Sequence, residues 1–294
     1  KQLKYLKVEI VNLVENKMKG TTNKMNIKRF LSGIILFPVV ALIIIFGNKY
    51  VVDFAIAIVA ILSIHEFYKA FHTSGKAHPI DWIGYVAAAS ISIIHVIPTY
   101  LILKMIGALL AVSILVLFAY IIATNGKTTI KDIAITFFGI FYIVIFLMFV
   151  SIIREDLENG KLLVWFVFFS AWGTDIFAYL IGKHFGKHHF TEISPNKTIE
   201  GCIAGTIGAV IMVVIYAFIC NLAFGVQLNY IYVAIIGLLL SLVSQVGDLA
   251  ASSIKRYTGI KDFSHLIPGH GGMLDRIDSI LFIAPFAYFL LFIL

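Results

Sequence analysis

The sequence predicts an all-α, polytopic membrane protein of about nine transmembrane helices. Of its 294 residues, 60% are hydrophobic and only 13% are charged, whereas roughly a quarter of the residues in a soluble chain are charged. Apolar stretches recur along nearly the whole chain, and each is long enough to cross a hydrocarbon core of about 30 Å. The stretches are continuous and do not alternate with period two, which favours helices over a membrane barrel. A disordered chain, a disulfide scaffold and a water-soluble enzyme are excluded.

We expect the spans to follow one another with short connecting segments. They cover residues 30–47, 51–72, 80–97, 100–124, 133–153, 162–182, 201–224, 229–254 and 277–294. At about 20 residues each, they account for the apolar content of the chain. No internal repeat is evident, so the sequence gives no support to an inverted-repeat transporter.

The basic residues predict the orientation of these spans. With the N-terminus inside, 19 of the 23 Lys and Arg residues lie on the inner side, and only Lys49, Lys104, Arg154 and Lys161 lie outside. This asymmetry follows the positive-inside rule, and an odd number of spans places the C-terminus outside. The net charge of +7 belongs to these connecting segments. It therefore indicates membrane lipids as partners, not nucleic acid.

Two further features complete the organisation. Residues 1–24 form an N-terminal extension, either disordered or an interfacial helix, ahead of a single integral-membrane catalytic domain over residues 25–294. Glu66, near the inner end of span two, is expected to be a solvated helix end, and a position facing a cavity is the alternative.

The first group of polar residues lies within span six. Asp175 and Tyr179 are four positions apart, so they share one face of the helix. An acid inside a membrane costs several kcal/mol unless it is paired or faces a wet cavity. We therefore predict that Asp175 and Tyr179 bind substrate. The alternative is that Asp175 only makes a structural hydrogen bond to a nearby Tyr or Thr.

The second group lies in the loop between spans six and seven. Ser194-Pro195 predicts a turn, after which Asn196 or Thr198 can cap the next helix. Free amides at that helix start, beside Lys197, can hold a phosphate group. We therefore predict Ser194, Asn196, Lys197 and Thr198 as substrate-binding residues. A basic turn that only satisfies membrane topology is the alternative.

The densest group runs from the end of span eight to the start of span nine. On a helix, Asp248, Ser252 and Lys255 form one stripe. Asp275 and Asp278 are three positions apart at the start of span nine, so their carboxylates can converge. A glycine-rich turn between the two spans lets the chain fold back and bring the acids together.

These acids and bases predict the chemistry of the site. Three carboxylates at a membrane edge repel one another unless cations lie between them, and oxygen ligands of this kind favour Mg²⁺. Positive charge for several phosphates comes from Lys255, Arg256, Lys261 and Arg276. Metals that align oxygens and cations that hold a leaving group are what phosphoryl or nucleotidyl transfer requires. Ion pairs that only neutralise a buried loop are the alternative.

The same segment resembles the C-terminal motif of the phosphatidate cytidylyltransferases, also called CDP-diacylglycerol synthases. The matching residues are Ser252-Ser253-Ile254-Lys255-Arg256, Lys261-Asp262 and Pro268-Gly269-His270-Gly271-Gly272-Met273-Leu274-Asp275-Arg276-Ile277-Asp278. A second block, Asp175 with Ala178-Tyr179 and the segment 194–201, is similar to another part of that family. The resemblance covers roughly residues 25–294 and is strongest in the last 125.

The resemblance implies a membrane enzyme that joins CTP to phosphatidic acid and gives CDP-diacylglycerol and pyrophosphate. It implies that Asp248, Asp275 and Asp278 hold Mg²⁺, with K⁺ beside it as an option. Of the remaining polar groups, Lys255 and Arg256 are assigned to catalysis, and Ser252, Lys261, His270 and Arg276 to substrate binding. The expected location is the cell membrane with the active site on the cytoplasmic side, and a homodimer is left open.

Two other functions compete with this one. A CTP-dependent polyprenol or dolichol kinase handles CTP in a loosely similar region, but it releases CDP instead of pyrophosphate. An ion-coupled transporter also places acids and broken helices in a membrane. Its acids would be expected near the midplane between repeats, not collected at one face.

Overall fold

The computed structural model describes residues 38–267, 269 and 271–292. In the described part the chain is helical, and its only β structure is two isolated bridges, His189 with Thr198 and Ile267 with Gly271. The helices are α1 (38–46), α2 (Lys49–Ser74), α3 (Asp81–Ala89), α4 (Thr99–Ala123), α5 (Ile130–Gly139), α6 (Phe146–Asp156), α7 (Gly160–Leu163), α8 (Trp165–Phe185), α9 (Ile199–Phe224), α10 (Tyr230–Thr258) and α11 (Leu274–Leu291). A 3₁₀ helix (Ser90–Val96) continues α3, and a π-helical segment (Ile140–Ile145) joins α5 to α6. The prediction of an all-α membrane protein is confirmed.

Six helical segments in the described part are long and apolar enough to cross a membrane. They are Lys49–Ser74, Tyr100–Ala123, Ile130–Asp156, Gly160–Phe185, Ile199–Phe224 and Tyr230–Thr258. Predicted span three is shorter and changes from α to 3₁₀ geometry at residue 90. Span nine corresponds to α11, which carries Asp275, Arg276 and Asp278 near its start. Residues 30–37 of span one and the whole extension 1–24 lie outside the described residues.

Helices α8, α9 and α10 form one packed unit, and α11 lies against α10. Gly205 shows how closely α8 and α9 approach, because a Cβ there would lie 2.7 Å from the carbonyl oxygen of Thr174. Small residues at such contacts let two membrane helices pack backbone to backbone. Thr174 also hydrogen-bonds the hydroxyl of Ser241 on α10 at 2.8 Å. Residues next to Thr174 on α8 are therefore held at a fixed distance from α10.

A buried charged network lies near the start of α2, far from the end of this helix that carries Glu66. His95 Nδ1 lies 2.9 Å from the Asp53 carboxylate, and its Nε2 lies 3.5 Å from Asp156. The Ser151 hydroxyl donates to Asp53, and Arg154 donates to backbone carbonyls at the end of α1. These contacts join α1, α2, the 3₁₀ helix and α6 at one end of the molecule.

Candidate active site

A cavity of about 240 Å³ lies between α8, α10 and the loop that leads into α9. Its lining contains seven of the residues that the sequence predicts for the site: Asp175, Tyr179, Ser194, Asn196, Lys197, Thr198 and Asp248. These residues come from three separate stretches of the chain. The structure therefore brings the first two polar groups of the sequence together with the first acid of the third group.

The loop before α9 is shaped by its own backbone. Phe190 N donates to Lys197 O at 2.9 Å, and Ile199 N donates to His188 O at 3.0 Å. Of the two residues predicted to cap the next helix, Thr198 does so, because its hydroxyl accepts from Gly201 N at 3.1 Å.

The loop before α9 also contacts Asp248, the acid of the cavity that lies on α10. Lys197 Nζ lies 2.5 Å from Asp248 Oδ2, so the loop places a cation directly beside the α10 carboxylate.

The acids that converge near the cavity come from three helices. Asp278 on α11 interacts electrostatically with Asp248 on α10 and with Asp175 on α8. Asp278 is buried, whereas Asp175 is exposed where it lines the cavity. Asp175 also interacts with Lys197 and Arg276. Acids that interact in this way repel one another, and a cation among them would reduce the repulsion.

Asp275 does not join these acids in the expected way. Its Oδ1 accepts from Lys255 Nζ at 2.8 Å, and its Oδ2 accepts from Phe263 N and Gly272 N, both at 2.9 Å. The sequence predicted that Asp275 meets Asp248 and Asp278 around a metal. In this structure it instead ties the loop 263–272 to the first turn of α11, because the free amides of that loop lie within its reach.

The prediction that Glu66 is a solvated helix end is wrong. Its side chain is buried, and it accepts from Ser264 Oγ at 2.5 Å and from Met273 N and Leu274 N at 2.9 Å. A carboxylate at the start of a helix also interacts favourably with the helix dipole. Glu66 therefore anchors the loop and the N-terminus of α11 to α2.

The remaining predicted residues lie around this centre. Arg256 Nε donates to Ile193 O at 3.3 Å and so joins α10 to the loop before α9. Arg276 and Lys261 are exposed, and Ser252 is half-buried on α10. Neither Ser252 nor Lys261 lines the cavity. His270 lies outside the described residues.

Two polar residues of the site were missed in the sequence. Gln245 lines the cavity and donates through Nε2 to Thr206 Oγ1 at 2.9 Å and to Cys202 O at 3.3 Å. Tyr142 interacts electrostatically with Asp278 and Asp248. The position of Gln245, three residues before Asp248 on one helix face, was a usable signal. Nothing in the sequence around Tyr142 distinguishes it from the apolar residues of its span.

The oxygen donors of the site suit a hard divalent cation, but the full predicted ligand set is not assembled. Within the described residues, hydrogen bonds or ion pairs occupy Oδ2 of Asp248 and Oδ1 of Asp278 and leave the second oxygen of each carboxylate free. These oxygens are of the type that Mg²⁺ prefers. No group of three His, Cys, Asp or Glu side chains in the part of the chain that the structure describes is arranged to hold a metal ion. Metal binding by the acids therefore stays a prediction.

Comparison with known proteins supports the resemblance found in the motif. Residues 27–294 match the Cytidylyltransferase family. The phosphatidate cytidylyltransferase of Bacillus subtilis (strain 168) is 38% identical over 181 residues, which are 61% of this chain and 65% of that protein. The phosphatidate cytidylyltransferase of Staphylococcus aureus (strain COL) is 32% identical over 268 residues, which are 90% of this chain and 98% of that protein.

The family match covers all of the site described above and nearly all of the chain. The Staphylococcus aureus alignment spans nearly the whole of both proteins, so the similarity is not confined to one motif. The chain belongs to the cytidylyltransferase family.

Proposed function

We propose that this membrane enzyme is a phosphatidate cytidylyltransferase and that the cavity beside Asp248 is its active site. It joins CTP to phosphatidic acid and gives CDP-diacylglycerol and pyrophosphate. The observation that carries the proposal is the meeting of Lys197, Asp248 and Asp175 in one cavity inside the helix bundle. Acidic groups that outnumber their lysine partner in a membrane protein are costly unless they face a polar ligand.

The reaction requires two polyanions to approach each other. An oxygen of the lipid phosphate attacks the α-phosphorus of CTP, a new P–O bond forms, and the bond to the β-phosphate breaks as pyrophosphate leaves. The lipid phosphate is already an oxyanion, so no strong general base is needed. The chain must instead supply alignment and charge neutralisation.

The basic residues of the site suit this demand. Lys197 stands at the cavity wall beside Asp248, and Lys255 interacts electrostatically with Asp278. Arg276 is exposed and interacts with Asp175. These cations can hold the phosphates and stabilise the charge of the departing pyrophosphate.

Asp248 and Asp278 are the residues best placed to hold Mg²⁺, with K⁺ beside it as an option, and Asp175 lies within their electrostatic range. When bound, Mg²⁺ neutralises and polarises phosphate oxygens. The role of Asp275 in this proposal is to keep the neighbouring loop and Lys255 in place, through the hydrogen bonds described above.

The site is proposed to face the cytoplasm across the cell membrane. The inner segments of the nine-span arrangement carry most of the Lys and Arg residues, which favours this orientation with the N-terminus inside and the C-terminus outside. CTP then enters from the cytosol, while phosphatidic acid arrives laterally from the bilayer.

The decisive experiment mixes the purified full-length protein with phosphatidic acid, CTP labelled in the cytosine ring, and Mg²⁺. We expect the label to enter the lipid fraction and pyrophosphate to appear in equal amount. EDTA should stop the reaction and excess Mg²⁺ should restore it. Release of CDP without labelled lipid would instead indicate a CTP-dependent lipid kinase, and activity that survives EDTA would refute the metal role.

A further inference from the structure

Tyr142 lies in the π-helical segment Ile140–Ile145 and is one of the most deeply buried large side chains of the protein, with 2% of its surface exposed. Among the described residues, its hydroxyl has no hydrogen-bond partner. A buried polar group without a partner is unusual and costly in a folded protein. Such a group calls for an explanation in terms of a ligand or of function.

The ring of Tyr142 is held firmly by other aromatic rings. It stacks on Phe138 with centroids 5.5 Å apart, and it packs edge-on against Phe282 at 5.7 Å and Phe67 at 6.3 Å. These contacts come from three different elements, so the ring has little freedom to turn its hydroxyl towards another partner.

The ring of Tyr142 packs beside the proposed active site, although Tyr142 is not among the residues that line the cavity. Tyr142 interacts electrostatically with Asp278 and, more weakly, with Asp248. Phe282, against which its ring packs, lies one turn after Asp278 on α11. π-Helical segments often occur at functional sites, because the extra residue changes which side chains face inwards.

We infer that the Tyr142 hydroxyl donates a hydrogen bond to a phosphate oxygen that binds between Asp248 and Asp278. A phenol suits this place because it is a neutral donor that carries no charge of its own into the membrane. A hydrogen bond from it to a charged phosphate is stronger than one between neutral groups. The phosphate belongs either to CTP or to phosphatidic acid, and this inference rests on the proposed function.

The substitution Tyr142→Phe tests the inference because it removes one hydroxyl and keeps the ring. We expect kcat/KM to fall roughly tenfold to a hundredfold, as for the loss of a hydrogen bond to a charged group. The melting temperature of the substrate-free protein should stay the same or rise, because an unpartnered buried hydroxyl disappears. A KM increase for CTP alone would assign the phosphate to the nucleotide, and one for phosphatidic acid alone would assign it to the lipid. A loss in kcat alone would place the hydrogen bond on the phosphoryl group in transfer.

Tyr68→Phe is the matched control. Tyr68 is equally buried, but its hydroxyl donates to Thr136 O at 2.7 Å, and its electrostatic neighbours are Asp81 and Tyr85, not the acids of the site. We expect this variant to melt at a lower temperature with kcat/KM unchanged. If Tyr142→Phe instead loses stability and activity together, or keeps full activity, the inference is refuted. A wild-type protein that forms no labelled lipid would refute the proposed function and this inference with it.

Discussion

Asp175, Asp248 and Asp278 each lie on a different helix, and they interact electrostatically with one another. In the described part of the chain, the only ion pair of these three acids with a lysine or arginine is the one between Asp248 and Lys197. Negative charge therefore accumulates at this point of the bundle. A protein that places like charges together usually gives up stability at a site where it gains function.

The substitution Asp278→Asn tests this balance. We expect the free energy of unfolding without Mg²⁺ to rise by about 0.5–2 kcal/mol, because a neutral amide replaces a buried acid that lies near two other acids. Turnover should fall by about a thousandfold or more, since a proposed metal ligand is lost. Thermal unfolding in detergent and the labelled-CTP assay measure the two effects. Glu158→Gln, an exposed acid between α6 and α7, should change neither. An Asp278→Asn variant with normal activity would contradict the metal assignment.

At the scale of elements, the loop 263–272 is the part of the site that depends most on distant contacts. Asp275 binds two of its amides, and Glu66 accepts from Ser264 within it and from the two residues that follow it. Gly272 passes so close to Glu66 that a Cβ would lie 2.4 Å from Oε2. Three hydrogen bonds hold that carboxylate in place, so it cannot move away from an added Cβ without breaking them.

The substitution Gly272→Ala should therefore displace Glu66 and loosen the loop. We expect a loss of stability of about 1–3 kcal/mol, as for breaking buried hydrogen bonds, and at least a tenfold fall in kcat/KM. The same change at Gly107 in α4 is the control, since an added Cβ there meets nothing within 4 Å. Gly107→Ala should leave activity unchanged. If Gly272→Ala behaves like Gly107→Ala, the loop does not depend on Glu66.

The helices and their contacts were predicted from the sequence only in part. Apolar run length predicted α9 and α10 within a few residues of where they begin, because a membrane helix is defined by its local composition. The break in span three at residue 90 was not predicted, because apolar residues there suit both helix types. The burial of Glu66 was missed because its partner Met273 is 207 positions away. The charged residues of the site were found because charge is unusual in a membrane, whereas Tyr142 carries no such signal.

At the scale of the whole molecule, the two ends of the helix bundle differ in their polar groups. The cavity with Lys197 and Asp248 faces one end, and the network of His95, Asp53 and Asp156 occupies the region near the start of α2. The distribution of Lys and Arg residues predicts that the first end is cytoplasmic.

Cysteine labelling tests this orientation. In a variant without Cys202 and Cys220, single Lys187→Cys and Lys161→Cys substitutions place thiols at exposed positions on the two predicted sides. We expect a membrane-impermeant maleimide to label Lys161→Cys in intact cells and Lys187→Cys only after permeabilisation. The reverse pattern would invert the topology, and labelling of both in intact cells would show that the two positions share one side.

The anchoring of the loop by Glu66 has a consequence for the order in which the protein is made. A ribosome completes α2 long before it reaches residues 263–274, so this carboxylate waits in the membrane without its partners. Its hydrogen bonds form only when α11 leaves the translocation machinery and settles beside it. The contacts of Glu66 with the loop and with α11 therefore form only after α3 to α10 have been made.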